Sequence, residues 1–262
     1  MIHEVGGCTI VQGDCLETLR LMPDRSIQCC VTSPPYDSLR TYGGYTWDFE
    51  ATARELQRVM VVGGIICWNV GDSVVDGSET LTSFKQAIFF KDVLGLRVHD
   101  TMIYEKVNFG HPEKVRYHQA FEYVFILSTG APRCFNPLKD KPNVYAGTQT
   151  WGRNSVREAN GEMTLRKKNT ITDFGMRLNV WRGKTSGQER STAGSLHPAA
   201  MPEWLAGDLI LSWSNPGDTV LDPFAGAGTV GLMANKHGRK SLLLELNPEY
   251  CQITANRLAG VR

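Results

Sequence analysis

The sequence predicts an α/β fold: a mostly parallel, twisted sheet with helices on both faces, plus one inserted region. Three observations predict it. Short apolar, β-rich runs alternate with stretches of helical period on either side of the middle of the chain, the pattern of parallel strands joined by crossover helices. A glycine-rich turn at 222–229 follows one apolar run and opens a helix, and ligands in such sheets sit beyond the carboxyl ends of the strands. Between 131 and 190 the alternation stops, and polar, Gly, Pro and basic residues take over. A chain of 262 residues, 42% of them hydrophobic, can hold one α/β domain with an insertion, or two small domains.

Taken in order, residues 8–12 read as a strand and 16–22 as a short helix. The apolar run 27–32 stops at Ser33-Pro34-Pro35, because proline offers no N–H to a ladder. Residues 49–62 read as a helix with Leu56, Val59 and Met60 on one face, ended by Gly63-Gly64, and 65–70 as a buried strand. A helix is expected over 80–94, and strands over 98–104 and 121–127. Beyond the insertion the pattern gives a helix over 203–213, a strand over 219–221, a helix over 229–237, a strand over 241–245 and a last helix over 248–258. No internal repeat or low-complexity tract is present. The expected organisation is 1–130 as one half of a core, 131–190 as an inserted basic region, and 191–262 as the second half of the same core.

The net charge of +1 excludes a chain that is basic on average, so any basic surface must be local. It is local: residues 131–190 hold 12 Lys and Arg against 5 Asp and Glu, an excess of +7 that leaves −6 for the rest. The seven cysteines form no C-x-x-C pair, which argues against a disulfide framework and a zinc ribbon. Most lie in apolar runs and read as reduced core residues of a cytoplasmic protein. The N-terminus lacks the charged flank and apolar core of a signal peptide, and no stretch approaches ~20 uninterrupted apolar residues, so no membrane span is expected. His99, His111 and His118 are too scattered to suggest a metal site.

Two motifs carry chemistry. In Asp222-Pro223-Phe224-Ala225-Gly226-Ala227-Gly228-Thr229, glycines let the backbone approach a ligand and the helix N-terminus offers unpaired N–H groups. No Gly-Lys-Ser/Thr follows, so it is not a Walker loop. Glu245 ends the apolar strand 23 positions after Asp222, near the ~20-residue spacing of an acid that accepts from ribose hydroxyls. Its alternative is a cap or charge for the helix at Pro248. The second motif, Ser33-Pro34-Pro35-Tyr36, sits at a strand end. An exocyclic base amine is a poor nucleophile, since its lone pair is delocalised into the ring. Acceptors at the Ser33 side chain and the Pro34 carbonyl, held by a stiff Pro-Pro backbone, would favour an sp³-like nitrogen. Tyr36 could stack on a flipped base. The alternative is an ordinary rigid turn. The sequence has no Pro-Cys dipeptide, which disfavours cysteine-based carbon methylation. Asp72 could face the pocket or cap the following turn.

With these motifs in this order, the sequence resembles the amino-group (N4-cytosine or N6-adenine) DNA methyltransferases, in the permuted class whose catalytic motif precedes the cofactor motif. The resemblance covers most of the chain outside the basic insert. It implies a Rossmann-like fold and S-adenosylmethionine as cofactor. It implies catalysis at Ser33, Pro34, Pro35 and Tyr36, a cofactor loop at Asp222 to Thr229, and a ribose acid at Glu245, continued by Asn247. Gly13-Asp14 resembles the segment at the cofactor adenine, His197-Pro198-Ala199 a cofactor-capping segment, and 118–127 the strand beside the base pocket. The insert takes the place of a target-recognition region on double-stranded DNA: Arg166, Lys167 and Lys168 suit phosphates, Arg153 or Arg157 suit base edges, and Arg182 and Lys184 extend the set. A solvated charged loop is the alternative. Within the family a serine before Pro-Pro-Tyr is more typical of cytosine N4 and an aspartate of adenine N6. RNA or protein-amide methylation, or a silent DNA-binding module, are the readings from other classes. The resemblance admits a homodimer and a cognate restriction endonuclease as partners; nothing in the sequence requires either.

Overall fold

The computed structural model describes residues 2–35, 47–107, 114–150, 155–165, 169–186 and 200–260. By contacts the chain forms two compact units: Met1–Asn136 with Asn179–Arg262, and Pro137–Leu178.

Among the described residues, the larger unit is built on a sheet of nine strands: β1 (Ile2–Val5), β2 (Cys8–Gln12), β3 (Ile27–Thr32), β4 (Met60–Val70), β5 (Arg97–Lys106), β6 (Phe121–Ser128), β7 (Val180–Gly183), β8 (Thr219–Asp222) and β9 (Lys240–Glu245). Their order across the sheet is β1-β2-β9-β8-β3-β4-β6-β5-β7. From β2 to β4 all neighbours pair in parallel; β1 and β6 run antiparallel to their neighbours, and β7 adds in parallel to β5. Helices α1 (Cys15–Leu21), α2 (Phe49–Val59), α3 (Thr82–Ile88), α4 (Glu203–Trp213), α5 (Thr229–Lys236) and α6 (Pro248–Leu258) complete it.

Side-chain alternation puts the two faces of the sheet into different cores. Leu244 of β9 joins Leu19, Leu56 and Phe90 on the α1, α2 and α3 side. Its neighbour Leu243 joins Ile10, Cys251 and Ala255 on the α6 side. Cys8, Cys15, Cys29, Cys30, Cys67 and Cys251 are buried in these layers as free thiols, and desolvation pushes Cys15 up to about 12. No helix among the described residues is long and apolar enough to cross a membrane.

Several boundaries differ from the sequence expectation. The helix expected over 49–62 ends at Val59. Asp48 starts it by accepting from Ala51 N at 3.0 Å, and Thr52, Ala53, Leu56 and Val59 form its buried face. Met60 then turns extended and pairs with Ile27, so Met60, Val61 and Val62 belong to β4. Gly63-Gly64 lies within that strand as an irregularity. At Gly63 φ is +74°, and a Cβ would stand 2.5 Å from the Ala131 carbonyl oxygen, so only glycine fits. The helix expected over 80–94 is α3 followed by a π-helical turn, Phe89–Val93, in which Leu94 N donates to Phe89 O at 3.1 Å. β1 was not expected. It forms a hairpin with β2 across Gly6-Gly7, whose φ values of 58° and 85° suit a tight primed turn.

The flanks of the basic stretch pack with the larger unit: Arg133 N donates to Gly63 O, Asn136 N to Ser212 O, and β7 is an edge strand of the main sheet. Pro137–Leu178, the smaller unit, consists of turns and two ribbons, Ser155–Arg157 with Met163–Leu165 and Lys141–Pro142 with Phe174–Gly175. Arg177 pairs with Asp140 there. None of its described residues is buried.

Candidate functional site

The strand order places five carboxyl ends side by side: those of β2, β9, β8, β3 and β4. The chain winds to one side of the sheet from β3 through β4 and to the other from β8 through β9. The ends of β3 and β8 therefore flank the point where connections diverge, and a crevice forms at such a point. Both motifs named from the sequence begin there: Ser33-Pro34-Pro35 after β3, and the glycine-rich turn after β8.

Hydrogen bonds join these ends in a row. Gly13 N, after β2, donates to Glu245 O at 2.9 Å. The Glu245 carboxylate accepts from Gly226 N at 2.7 Å through Oε2 and from Asn247 N at 2.8 Å through Oε1. Ala225 N donates to Leu244 O at 3.0 Å. Asp222 Oδ1 accepts from Phe224 N at 3.1 Å and from Thr32 Oγ1 at 2.7 Å. Burial lifts both acids: Asp222 is pushed up to about 7, against the lowering effect of its Thr32 and Phe224 bonds, and Glu245 is raised against its backbone donors.

Helix α6 supports the turn from below. Thr254 Oγ1 donates to Gly226 O at 3.0 Å, and Arg257, one helical turn on, donates to Ala227 O and pairs with Glu203 of α4. Gly226 and Gly228 have φ of 51° and 74°, and a Cβ at Gly228 would stand 2.3 Å from Thr254 Cγ2. The first side chain of α5, Thr229, has a buried Oγ1 with no hydrogen-bond partner among the described residues.

Thr32 is fully buried, Pro34 is buried, and Ser33 and Pro35 are half-buried. A pocket of about 340 Å³ opens beside Pro35, walled by Trp47, Phe49 and Phe89. Trp47 also meets Phe224 of the turn edge-on, with ring centroids 4.8 Å apart.

Other expected site residues fall as follows. Asp14 caps α1 by accepting from Glu17 N at 3.0 Å. Asn247, not Glu245, caps α6, by accepting from Glu249 N at 2.8 Å. Asp72 is a cap as well: it holds the start of α3 through Ser83 N at 2.8 Å and Ser83 Oγ at 2.5 Å. Arg157 is exposed on a ribbon of the smaller unit. Arg182, on β7 of the larger unit, lies 3.4 Å from Glu105, and Lys184 is exposed just beyond. Tyr36, Arg153, Arg166, Lys167, Lys168, His197, Pro198 and Ala199 lie outside the described residues. Thr32 was legible only as the end of a strand, and Thr254 and Arg257 only as part of the last helix. The last two share a helix face at a spacing of three, which helical periodicity alone could have paired with the turn.

Residues 27–256 match the family model described as DNA methylase, N6_N4_Mtase. The chain is 47% identical over 239 residues to the orphan methyltransferase M.BamHII of Bacillus amyloliquefaciens, covering 90% of this chain and 89% of that one. It is 28% identical over 299 residues to the type II methyltransferase M.Cfr9I of Citrobacter freundii, covering 98% and 89%. Among solved structures, the PvuII DNA methyltransferase (cytosine-N4-specific) superposes with a TM-score of 0.69 at 20% identity, covering 98% of this chain and 90% of that one. The M1.HpyAVI–SAM complex gives a TM-score of 0.62 at 20% identity, covering 95% and 99%. At such identities the structures speak for the fold, and they agree with the Rossmann-like sheet described above.

Proposed function

The chain belongs to the N6_N4_Mtase family of DNA methylases, and from that premise we propose that it moves a methyl group from S-adenosylmethionine to the N4 amine of a flipped cytosine in double-stranded DNA. The observation that carries this reading is the row of bonded strand ends. It sets the Ser33-Pro34-Pro35 turn directly beside the glycine-rich turn, through Thr32 and Asp222.

The turn suits the cofactor. Its two left-handed glycines let the turn close tightly over α6, Thr229 Oγ1 at the opening of α5 has no hydrogen-bond partner among the described residues, and Glu245 supplies an acid at the neighbouring strand end. S-adenosylmethionine supplies a methyl group on a sulfonium, ready for direct transfer. Glu245 is the acceptor for ribose hydroxyls, with Asp14 and Asn247 near it in sequence or at the next strand end. Pro223, Phe224, Ala225, Gly226, Gly228 and Thr229 line the approach. By resemblance alone, His197, Pro198 and Ala199 are assigned to the cofactor.

On the acceptor side, Ser33 Oγ and the Pro34 carbonyl take the hydrogen bonds of the amine. With both N–H groups engaged, the nitrogen pyramidalises and its lone pair becomes available. The paired prolines fix the spacing of these two oxygens, so little reorganisation is needed on the way to the transition state. Aromatic surface beside Pro35 suits stacking of an unpaired base. Serine rather than aspartate at position 33 favours cytosine. The basic residues of 131–190 are the DNA contacts in this reading.

Nucleoside mass spectrometry on DNA incubated with the protein and isotopically labelled S-adenosylmethionine tests it. Labelled N4-methylcytosine is expected. Labelled N6-methyladenine would keep the chemistry and reverse the base. No label in any DNA nucleoside, with the cofactor bound, would overturn DNA as the acceptor.

A further inference from the structure

Thr32 lies outside both motifs as the sequence presents them, yet its bond to Asp222 joins the two. Thr32 is the last residue of β3 and is fully buried; Asp222 is the last of β8 and 4% exposed. The strands are parallel neighbours, with Val220 opposite Cys29 and Leu221 opposite Cys30. Register therefore brings the two side chains together at the crevice. A single oxygen, Asp222 Oδ1, receives both the Thr32 hydroxyl and Phe224 N. The other, Oδ2, accepts from no donor among the described residues.

We propose that Thr32 is a positioning residue, whose hydroxyl clamps the Asp222 carboxylate so that its second oxygen is held, charged, for the cationic part of the cofactor. The inference rests on the cofactor site proposed above. A buried carboxylate left to itself takes up a proton. Here the groups acting on Asp222 are few: Thr32 of β3 and Phe224 N favour the charged form, while Glu245 of β9 opposes it. Cys30 of β3 lies close enough to be raised by the Asp222 charge. No Lys, Arg or His among the described residues supports the carboxylate. A sulfonium or an α-ammonium group would be the first cation it meets. Binding such a cation favours the ionised acid, so cofactor affinity should rise as pH passes through about 7, where Asp222 titrates. Removing the hydroxyl moves that step to higher pH.

The experiment is calorimetric titration of the whole protein with S-adenosylmethionine from ~pH 6 to ~pH 8.5, for wild type, Thr32→Val and Thr32→Ser. Thr32→Val should bind about tenfold more weakly at neutral pH, the loss expected for a hydrogen bond to a charged group, and should regain affinity as pH rises. Thr32→Ser keeps the hydroxyl and should follow wild type. Superimposable profiles for wild type and Thr32→Val would overturn the clamp while leaving the cofactor site standing. A wild type that binds no cofactor at any pH would overturn both. Should Thr32→Val fail to fold, Asp222→Asn replaces it: the pH step should vanish there, and a step that persists overturns the proposal.

Discussion

Glu245 and Asp222 are ionisable groups that the fold has moved away from their ordinary behaviour, in the same direction and for the same reason. Each gains hydrogen bonds to its charged form, and each still has its pKa raised because burial outweighs them. At pH values between its unfolded and folded pKa, each acid therefore binds more protons in the folded state than in the unfolded chain. For Asp222 the stability lost to this grows as pH rises from its unfolded value of 3.8 and is complete above about 7. Asp222→Asn keeps an acceptor for Thr32 and Phe224 N without the charge. Its melting temperature should exceed that of wild type at mildly alkaline pH, and the gap should close toward pH ~4; a gap independent of pH would assign the difference to packing. Glu245→Ala removes the acid that the turn and β9 share. Cofactor affinity should fall about tenfold or more by calorimetry, and unchanged affinity would take Glu245 out of the site. Ser33→Ala should act on the other quantity. Turnover should drop about 100-fold, the scale for one lost transition-state contact, with cofactor affinity preserved; equal loss of both would undo the assigned role. These residues were legible in the sequence because their chemistry is tied to type and spacing: a serine before paired prolines, and an acid at a strand end 23 positions after Asp222. Thr32 was not, since a threonine at the end of an apolar strand is ordinary until its neighbour across the sheet is known.

The same contrast appears among the elements. Apolar periodicity located β3, β8, β9, α4 and α6 almost to the residue, because each buries a complete face or layer and begins or ends at a proline, glycine or cap. It misplaced the α2–β4 junction. Leu56, Val59 and Met60 are all buried, so their spacing suits either a helix or the start of a strand; pairing of Met60 with Ile27 decides for the strand. Contacts distant in sequence also decide how the glycine-rich turn is held. It rests on Thr254 and Arg257 of α6, 28 and 30 residues from the carbonyls they bind. Gly228 is where that support is tightest. Gly228→Ala meets both a left-handed φ of 74° and a contact of 2.3 Å with Thr254. It should cost about 1–3 kcal/mol of stability by denaturant unfolding, together with cofactor affinity. Pairing it with Thr254→Ser, which removes the offending methyl and keeps the hydroxyl, should recover part of the affinity. A double variant no better than the single would assign the loss to the left-handed backbone and to the remaining contact with the Thr254 hydroxyl at 2.7 Å.

Across the whole molecule, charge and burial divide the chain along similar lines. The stretch 131–190 carries +7 and the remainder −6. Within that stretch, Pro137–Leu178 forms a compact unit in which no described residue is buried. A segment that buries so little apolar surface gains little from the hydrophobic effect, and short ribbons are marginal in water. Its composition is better matched to a polyanion than to a core: DNA phosphates would offset the repulsion among its basic side chains, and the DNA would release counterions on binding. This is why its charge was readable from the sequence although its ribbons were not. Two- and three-residue strands carry no periodicity to detect. Replacing Arg166, Lys167 and Lys168 together by alanine should leave cofactor affinity unchanged and weaken binding to DNA of any sequence. If all three meet phosphates, the slope of log K against log salt should become shallower by about 2.7, at roughly 0.9 per contact on duplex DNA. A slope identical to wild type, measured by fluorescence anisotropy over a salt series, would place the DNA on another surface. A uniform loss of affinity with specificity intact would separate these residues, as phosphate contacts, from those that read bases.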